Sequence, residues 1–220
     1  MSYDHILLDI ETQRDFFSPG GSCYTQAATP VANAIYRLFA WARHNDVPVI
    51  STVLRVRPTQ QGPLAATPHC IDGTAGERKL ARTILPRRVN LGLLNTTDLP
   101  DQIFRKHQQV IFEKRNTDIF THARAERLIS EIGDATFVIC GAGVSHGIAQ
   151  AAIGLRSRGF SVIVASDAVL DMDYARDEMA RRRMEAKGAV FATTSEIIAP
   201  RSQVGRKPFR RARLQVTHTT

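Results

Sequence analysis

The sequence has few cysteines, and their arrangement points to no structural role. Cys23, Cys70 and Cys140 are the three cysteines of the 220-residue chain, and no two of them form a Cys-x-x-Cys pair. An odd count at wide spacing predicts neither a disulfide framework nor a zinc cage. Free thiols are typical of a reducing compartment.

Long hydrophobic runs are also missing. No apolar stretch approaches the ~20 residues that a membrane-spanning helix needs. The chain begins Met1-Ser2-Tyr3-Asp4-His5 and enters a strand-like run at once. It shows neither the basic n-region nor the small-residue cleavage site of a signal peptide. We therefore expect a mature, cytoplasmic protein without a membrane span.

Acidic residues are absent from Pro200 onward, and this absence accounts for the basic charge. The whole chain has 29 basic and 21 acidic residues, a net charge of +8. Residues 1–199 contain 23 of the basic residues and all 21 acidic ones. The other basic residues are Arg201, Arg206, Lys207, Arg210, Arg211 and Arg213. The excess charge thus belongs to a C-terminal tail, residues 200–220, which we predict to be flexible. An anionic partner of this tail, whether membrane surface, RNA or protein, remains open.

What is present is a globular composition, with 43% hydrophobic and 23% charged residues. Short apolar runs alternate with helical patterns, and these runs cover 5–10, 47–53, 109–112, 135–140, 160–165 and 189–193. Continuous Val, Ile and Leu runs separated by helices predict a parallel sheet covered on both faces. We therefore predict that residues 1–199 form a single three-layer α/β/α domain with about six mainly parallel strands.

Two further patterns concern the segments between the strands. Thr29-Pro30 is typical of a helix N-cap and first turn, and Ser145 is typical of a helix cap after the fourth predicted strand. The stretch 54–107 is rich in Gly, Pro, Thr and Arg and is longer than a connection needs. Such insertions usually shape a binding site or an oligomer contact.

The predicted sheet also locates the candidate site. In an open parallel sheet, ligands bind at the carboxyl ends of the strands. The residues that follow the predicted strands there are Glu11, Gln13, Asp15, Glu113, Lys114 and the loop 141–147.

Five motifs in order resemble the isochorismatase-like superfamily, the cysteine hydrolases that include nicotinamidases. They are Asp9-Ile10-Glu11-Thr12-Gln13-Arg14-Asp15-Phe16-Phe17 with Pro19-Gly20-Gly21, Pro68-His69-Cys70-Ile71-Asp72-Gly73-Thr74-Ala75-Gly76, Glu113-Lys114, Cys140-Gly141-Ala142-Gly143-Val144-Ser145-His146-Gly147, and Arg158-Gly159-Phe160 leading to Asp167-Ala168. The resemblance covers residues 3–199. It implies a Rossmann-like isochorismatase fold, a small-molecule substrate and a homo-oligomer.

The resemblance also implies the site residues. The family's catalytic aspartate falls on Glu11, its lysine on Lys114 and its nucleophilic cysteine on Gly147. Glycine has no side chain, so amide hydrolysis through a thiol at this position is excluded. The residues expected to contact the substrate are Gln13, Asp9, Phe16, Ser145 and His146. Asp9 is expected to share a strand face with Glu11. Cys140 is either a core thiol or a relocated nucleophile, and Ser145 is a second candidate nucleophile.

A glycine at position 147 is what the isochorismatases proper look like. These enzymes hydrolyse a vinyl ether, which needs no covalent nucleophile. The resemblance therefore implies that Glu11 protonates the enol-ether carbon and that Lys114 binds the substrate's carboxylate. The acid must hold its proton, which burial favours and a neighbouring ammonium group opposes. The alternative is a catalytically inactive pseudoenzyme used for binding or assembly.

The metal ligands of nicotinamidases are missing from the sequence. Metal-binding members place Asp-x-His after the second strand, where this chain has Ser51-Thr52-Val53-Leu54-Arg55-Val56. Only His69 of the Pro-His-Cys segment remains, and a lone histidine is more often structural than a ligand. We therefore expect no metal and no cofactor. Arg55 and Arg57 indicate either an anion-facing rim or a solvated edge.

Overall fold

Seven β-strands form one sheet in the computed structural model of the chain, which describes residues 2–199. They are β1 (His5–Ile10), β2 (Val49–Leu54), β3 (Arg88–Asn90), β4 (Gln109–Lys114), β5 (Thr136–Ala142), β6 (Ser161–Leu170) and β7 (Val190–Ala192). Every neighbouring pair is parallel, in the order β3-β4-β2-β1-β5-β6-β7. The predicted parallel sheet is confirmed. The predicted tail lies outside the described residues.

Helices cover both faces of this sheet. They are α1 (Arg14–Phe17), α2 (Ala28–His44), α3 (Ile103–Lys106), α4 (Ala123–Ser130), α5 (Ala149–Ser157), α6 (Tyr174–Ala186) and α7 (Thr194–Ile198). Apolar residues of α4, α5 and α6 pack on one face of the sheet. Apolar residues of α2 and α7 pack on the other face, so the predicted three-layer arrangement is confirmed. No helix within residues 2–199 is long and apolar enough to cross a bilayer.

The structure adds one strand to the predicted six. Strand β3 lies at the edge of the sheet and pairs with β4 through Arg88 and Gln109. It has only three residues, and two of them are exposed. Three residues are too few to show the alternation of apolar and polar side chains by which a strand is predicted from sequence. The predicted N-cap at Thr29 is wrong, because α2 already begins at Ala28 and its N-cap, Ala27, makes no side-chain hydrogen bond.

Strand β1 lies at the point where the strand order reverses. The chain passes from β1 to β2, β3 and β4 on one side and then returns to β5 on the other. Ligands of open α/β sheets bind outside the carboxyl ends of the strands at such a switch point. Glu11 directly follows β1, and the turn Val144–Ile148 follows β5. The topology therefore brings these two segments to one place.

The long segment 54–107 closes over the end of β1. Lys79 forms an isolated antiparallel bridge with Gln13. The Asp15 carboxylate accepts hydrogen bonds from the backbone N–H groups of Cys70 at 2.6 Å and Ser22 at 3.1 Å. A Cβ at Gly76 would lie 2.1 Å from Asp15 Oδ1, so the backbone approaches the carboxylate too closely for any side chain. The segment is therefore fixed against the carboxyl end of β1, which Glu11 follows.

Candidate functional site

A buried ion pair joins Glu11 to Lys114. Glu11 follows β1, Lys114 is the last residue of β4, and β2 lies between these strands. Lys114 Nζ donates a short hydrogen bond to Glu11 Oε1. Only 3% of Glu11 and 2% of Lys114 is exposed. The structure thus brings together the two charged residues that the sequence placed at the carboxyl ends of separate strands.

Lys114 also holds the turn that follows β4. Its Nζ donates to the carbonyl oxygens of Asn116 at 2.9 Å and Thr117 at 2.8 Å. An ammonium group has three donors, and with Glu11 all three are used. A substrate can therefore bind Lys114 Nζ directly only if one of these bonds opens. The role of Lys114 as substrate binder stays a prediction.

Glu11 has a left-handed backbone conformation, with φ of 53°. Its N–H donates to Thr52 O at 3.2 Å, and its carbonyl accepts from Gln13 N at 2.7 Å. The break in strand geometry gives Asp9 and Glu11 different partners, because Asp9 contacts Lys79 instead of Lys114. That the two carboxylates share a face stays a prediction. A non-glycine residue held at positive φ is typical of sites where the surrounding structure imposes the geometry.

Gly147 packs directly against the ion pair. It lies in the π-helical turn Val144–Ile148, which follows Gly143 and leads into α5. A Cβ at Gly147 would lie 2.9 Å from Ile10 Cγ2, 3.2 Å from Thr117 O and 3.4 Å from Glu11 Oε1. A side chain here would crowd Ile10 and lie next to the carboxylate. The three positions that the resemblance implies, Glu11, Lys114 and Gly147, are therefore neighbours.

Three of the predicted substrate-contacting residues are engaged with the protein itself. Asp9 is fully buried, and its Oδ2 accepts from Ser51 Oγ at 2.8 Å as well as from Lys79. The Gln13 amide donates to Leu54 O at 2.8 Å and accepts from Leu54 N at 2.8 Å. The Phe16 ring lies 5.3 Å from the His69 ring. Asp9 and Gln13 hold β1 to its surroundings, and their contact with a substrate stays a prediction.

Ser145 and His146 lie in the turn beside Gly147. His146 is exposed, Ser145 is half-buried, and Ser145 Oγ lies 3.3 Å from His146 Nδ1. The residue that precedes the turn is Gly143, with φ of 78°, so the expected capping role of Ser145 is wrong. His146 has φ of −117° and ψ of −108°, a departure from helical geometry inside the turn. Of the predicted residues, these two are the most accessible.

A carboxylate that the sequence analysis missed holds this turn in place. Asp177, in the first turn of α6, is 1% exposed. Its Oδ1 accepts from Ser145 N at 2.7 Å, and its Oδ2 accepts from Met172 N at 2.7 Å and Asp173 N at 2.8 Å. Burial alone raises the pKa of Asp177, but the hydrogen bonds from Asp173, Ser145 and Met172 outweigh it and hold the pKa below its usual value. A single buried carboxylate thus joins α6 to the loops after β5 and β6.

None of the thiols is activated. Burial raises the pKa of the Cys140 thiol well above its usual value, and Cys140 is fully buried. Burial and the nearby Glu11 carboxylate raise the pKa of Cys70 far above its usual value. Burial also raises the pKa of Cys23, which is half-buried. A thiol must ionise to act as a nucleophile, so these environments favour the core role for Cys140.

Arg55 lies at the centre of an ion-pair network. Its Nε is 2.9 Å from Asp72 Oδ1 and 3.1 Å from Glu77 Oε2, and its Nη1 is 3.1 Å from Glu113 Oε2. Arg115 also pairs with Asp72. Three carboxylates thus surround Arg55, whereas Arg57 is exposed, and the anion-facing rim and the solvated edge stay predictions for Arg57.

His69 has a structural contact instead of a metal-site geometry. Its Nδ1 lies 2.5 Å from Thr67 O, and its ring packs beside Phe16. Within residues 2–199, no group of three or more His, Cys, Asp or Glu side chains is placed to hold a metal ion.

Comparison of the sequence with protein-family models finds a match to part of the chain. The Isochorismatase domain model matches residues 95–196, which include Lys114 and Gly147. The match covers 102 of the 220 residues, and together with the fold it supports the resemblance to the isochorismatase-like superfamily. No curated protein is significantly similar to the chain in sequence.

Solved structures share the fold at low sequence identity. Nicotinamidase/pyrazinamidase PncA from Bacillus subtilis is 19% identical, with a TM-score of 0.65 over 86% of this chain and 100% of its own. N-carbamoylsarcosine amidase from Thermoplasma acidophilum is 15% identical, with a TM-score of 0.64 over 87% of this chain and 97% of its own. An isochorismatase-like hydrolase from Alkaliphilus metalliredigens is 16% identical, with a TM-score of 0.64 over 89% of this chain and 98% of its own. At these identities the similarity is one of fold.

Proposed function

We propose that the chain is an isochorismatase-like hydrolase that acts on a small anionic molecule without a covalent thiol intermediate. The observation that carries the proposal is the buried Glu11–Lys114 pair beside a position, Gly147, that has no side chain. The raised thiol pKa values of Cys23, Cys70 and Cys140 support it, because thiolate attack would need the opposite shift.

The chemistry that fits this arrangement is hydrolysis of an enol ether. Glu11, once protonated from solvent, transfers that proton to the enol-ether carbon, which leaves an oxygen-stabilised cation. Water adds to that cation, a proton returns to the Glu11 carboxylate, and the hemiketal collapses to a ketone and an alcohol. Proton transfer leaves a carboxylate next to Lys114 Nζ, so the ion pair stabilises the charge that develops during the reaction.

The test is turnover of isochorismate, together with a panel of amides, by the wild type and a Glu11→Gln variant. Glutamine keeps the shape of the side chain but carries no transferable proton, so we expect isochorismate hydrolysis to fall by about 10²- to 10⁴-fold. Glu113→Gln is the matched control, because Glu113 is a neighbouring glutamate that pairs with Arg55 and Asn90. Unchanged turnover by Glu11→Gln would remove Glu11 as the acid.

A pseudoenzyme is the second candidate function, and one observation favours it. All three Lys114 donors are occupied by Glu11, Asn116 and Thr117. An ion pair whose donors are all used can hold the carboxyl ends of β1 and β4 together without reacting. Saturable binding of isochorismate without turnover, unchanged in Glu11→Gln, would favour this alternative over the hydrolase.

A further inference from the structure

A narrow groove runs along α2, away from the Glu11–Lys114 pair. Its volume is about 230 Å³. One wall is a stripe of α2 at helical spacing, Tyr36, Phe39, Ala40 and Arg43, and the other wall is Ala81, Arg82, Ile84, Leu85 and Pro86. We call it the α2 groove. Neither Glu11, Lys114 nor Gly147 lines it.

The charges that line the α2 groove have one sign. Arg43 and Arg82 are exposed, and the lining includes no acidic residue. Within the described part of the chain, neither arginine has a carboxylate at ion-pair distance, whereas the nearby Arg87 pairs with Asp46 at 2.8 Å. Two guanidinium groups therefore border one groove without a counterion from residues 2–199.

The geometry of Arg82 leaves its hydrogen-bonding edge available. The Arg82 guanidinium stacks over the Tyr36 ring, with 4.1 Å between its Cζ and the ring centroid. Stacking uses the face of the guanidinium, while the N–H donors point outward in its plane. Such a planar fork matches the two oxygens of a carboxylate.

The floor of the groove is apolar. Phe39 is 2% exposed and Leu85 is 4% exposed, so both belong to the core beneath the groove. Ala40 is exposed and has only a methyl group to fill the middle. An apolar floor between two cations suits a molecule that is part hydrophobic and part anionic.

We propose that the α2 groove binds a small organic monoanion, namely a carboxylate attached to a flat apolar body. The volume lies below the ~300–1,000 Å³ of most ligand pockets, which favours a small ligand over a protein segment. The planar fork of Arg82 matches the two oxygens of a carboxylate, and the apolar floor suits the body attached to it.

Calorimetric titration of the full-length chain with benzoate tests this proposal. Benzamide is the neutral probe of nearly the same shape. We expect saturable benzoate binding that Arg43→Ala, Arg82→Ala and Ala40→Leu each weaken by about tenfold or more. Ala40→Leu fills the groove without changing its charge and keeps a good helix former on an exposed helix face.

Arg183→Ala is the matched control, because Arg183 is an exposed arginine of α6 outside the groove. It removes the same charge and should leave benzoate binding within about twofold, since a distant surface charge is screened by salt. The proposal is overturned if the wild type shows no saturable benzoate binding. It is equally overturned if Ala40→Leu, Arg43→Ala or Arg82→Ala binds like the wild type, or if benzamide binds as tightly as benzoate. These outcomes are independent of the Glu11→Gln result, because no groove residue belongs to that site.

Discussion

At Glu11 the backbone leaves the extended conformation, and contacts on both sides of the residue hold it there. Its N–H bonds to Thr52 on β2, its carbonyl bonds to Gln13, and its carboxylate meets Lys114. A left-handed glutamate costs of order 1 kcal/mol, which the rest of the structure must offset. The strain fixes one carboxylate at the end of the central strand, beside Gly147.

The sequence could predict that Glu11 and Lys114 meet, because both follow parallel strands and such strands end at one edge of a sheet. It could not predict the partner of Asp9. Lys79 comes from the long segment 54–107, and its contact with Asp9 depends on how that segment folds back over β1. Asp177 was missed for the same reason, since its three hydrogen-bond donors lie in two other loops and one helix cap.

The raised thiol pKa values predict slow alkylation of the buried cysteines. Treatment of the native chain with iodoacetamide at pH 8 should label Cys70 and Cys140 only slowly, because burial raises both pKa values and limits access. Peptide mass spectrometry measures the label, and the urea-unfolded chain, in which all three cysteines should react quickly, is the control. Rapid labelling of native Cys70 or Cys140 would contradict the raised pKa values.

Among the elements, α6 and the turn Val144–Ile148 act as a unit. Asp177 of α6 holds Ser145 of the turn and Met172 of the loop after β6. The turn departs from regular helix at His146, and the N–H groups of His146 and Ile148 bond to Gly143 O. The Asp177 carboxylate adds a contact from another helix, which holds Ser145 two residues before Gly147.

Replacement of Asp177 by Asn tests this contact. The pKa of Asp177 is lowered in the folded chain, so its stabilisation is complete above the unfolded value of about 3.9 and is lost as the pH falls through the lower folded value. We expect Asp177→Asn to reduce the free energy of unfolding at pH 7 by about 2 kcal/mol, because hydrogen bonds to a buried charged group are lost. Its unfolding free energy should also fall less steeply below pH 4 than that of the wild type.

Urea denaturation across this pH range measures both effects. Glu178→Gln is the control, since Glu178 is partly exposed on the same helix and pairs with Arg182 in a surface salt bridge. A wild-type pH profile retained in Asp177→Asn would show that another group causes the acid sensitivity.

The sequence predicted four of the inner strands well. Strands β1, β2, β4 and β5 have continuous apolar runs, and the structure places their ends within two residues of the prediction. Strand β3 and helices α1, α3 and α7 have five residues or fewer. At that length, contacts with the rest of the fold determine structure more than local pattern does.

At the scale of the whole molecule, charge is divided between two parts. Residues 1–199 have 23 basic and 21 acidic residues, whereas the segment from Pro200 onward has six basic residues and no acidic one. Its conformation lies outside the described residues. A homo-oligomer and a cytoplasmic location also stay predictions at this scale.

The charge division predicts where a polyanion binds. A full-length variant with glutamine at the six basic positions after Pro200 should elute from heparin at lower salt than the wild type, because fewer counterions are released on binding. Its isochorismate turnover should equal that of the wild type. Unchanged heparin affinity would place the polyanion contact on residues 1–199.

The most direct test of the central claim is the intact mass of the chain, quenched with acid during steady-state turnover of isochorismate. Catalysis through Glu11 leaves no bond between protein and substrate, so we predict only the unmodified mass at every time point. A Cys23→Ser, Cys70→Ala, Cys140→Ala variant should keep its turnover under the same conditions. A covalent adduct on any cysteine, or loss of turnover in a folded thiol-free chain, would contradict the account.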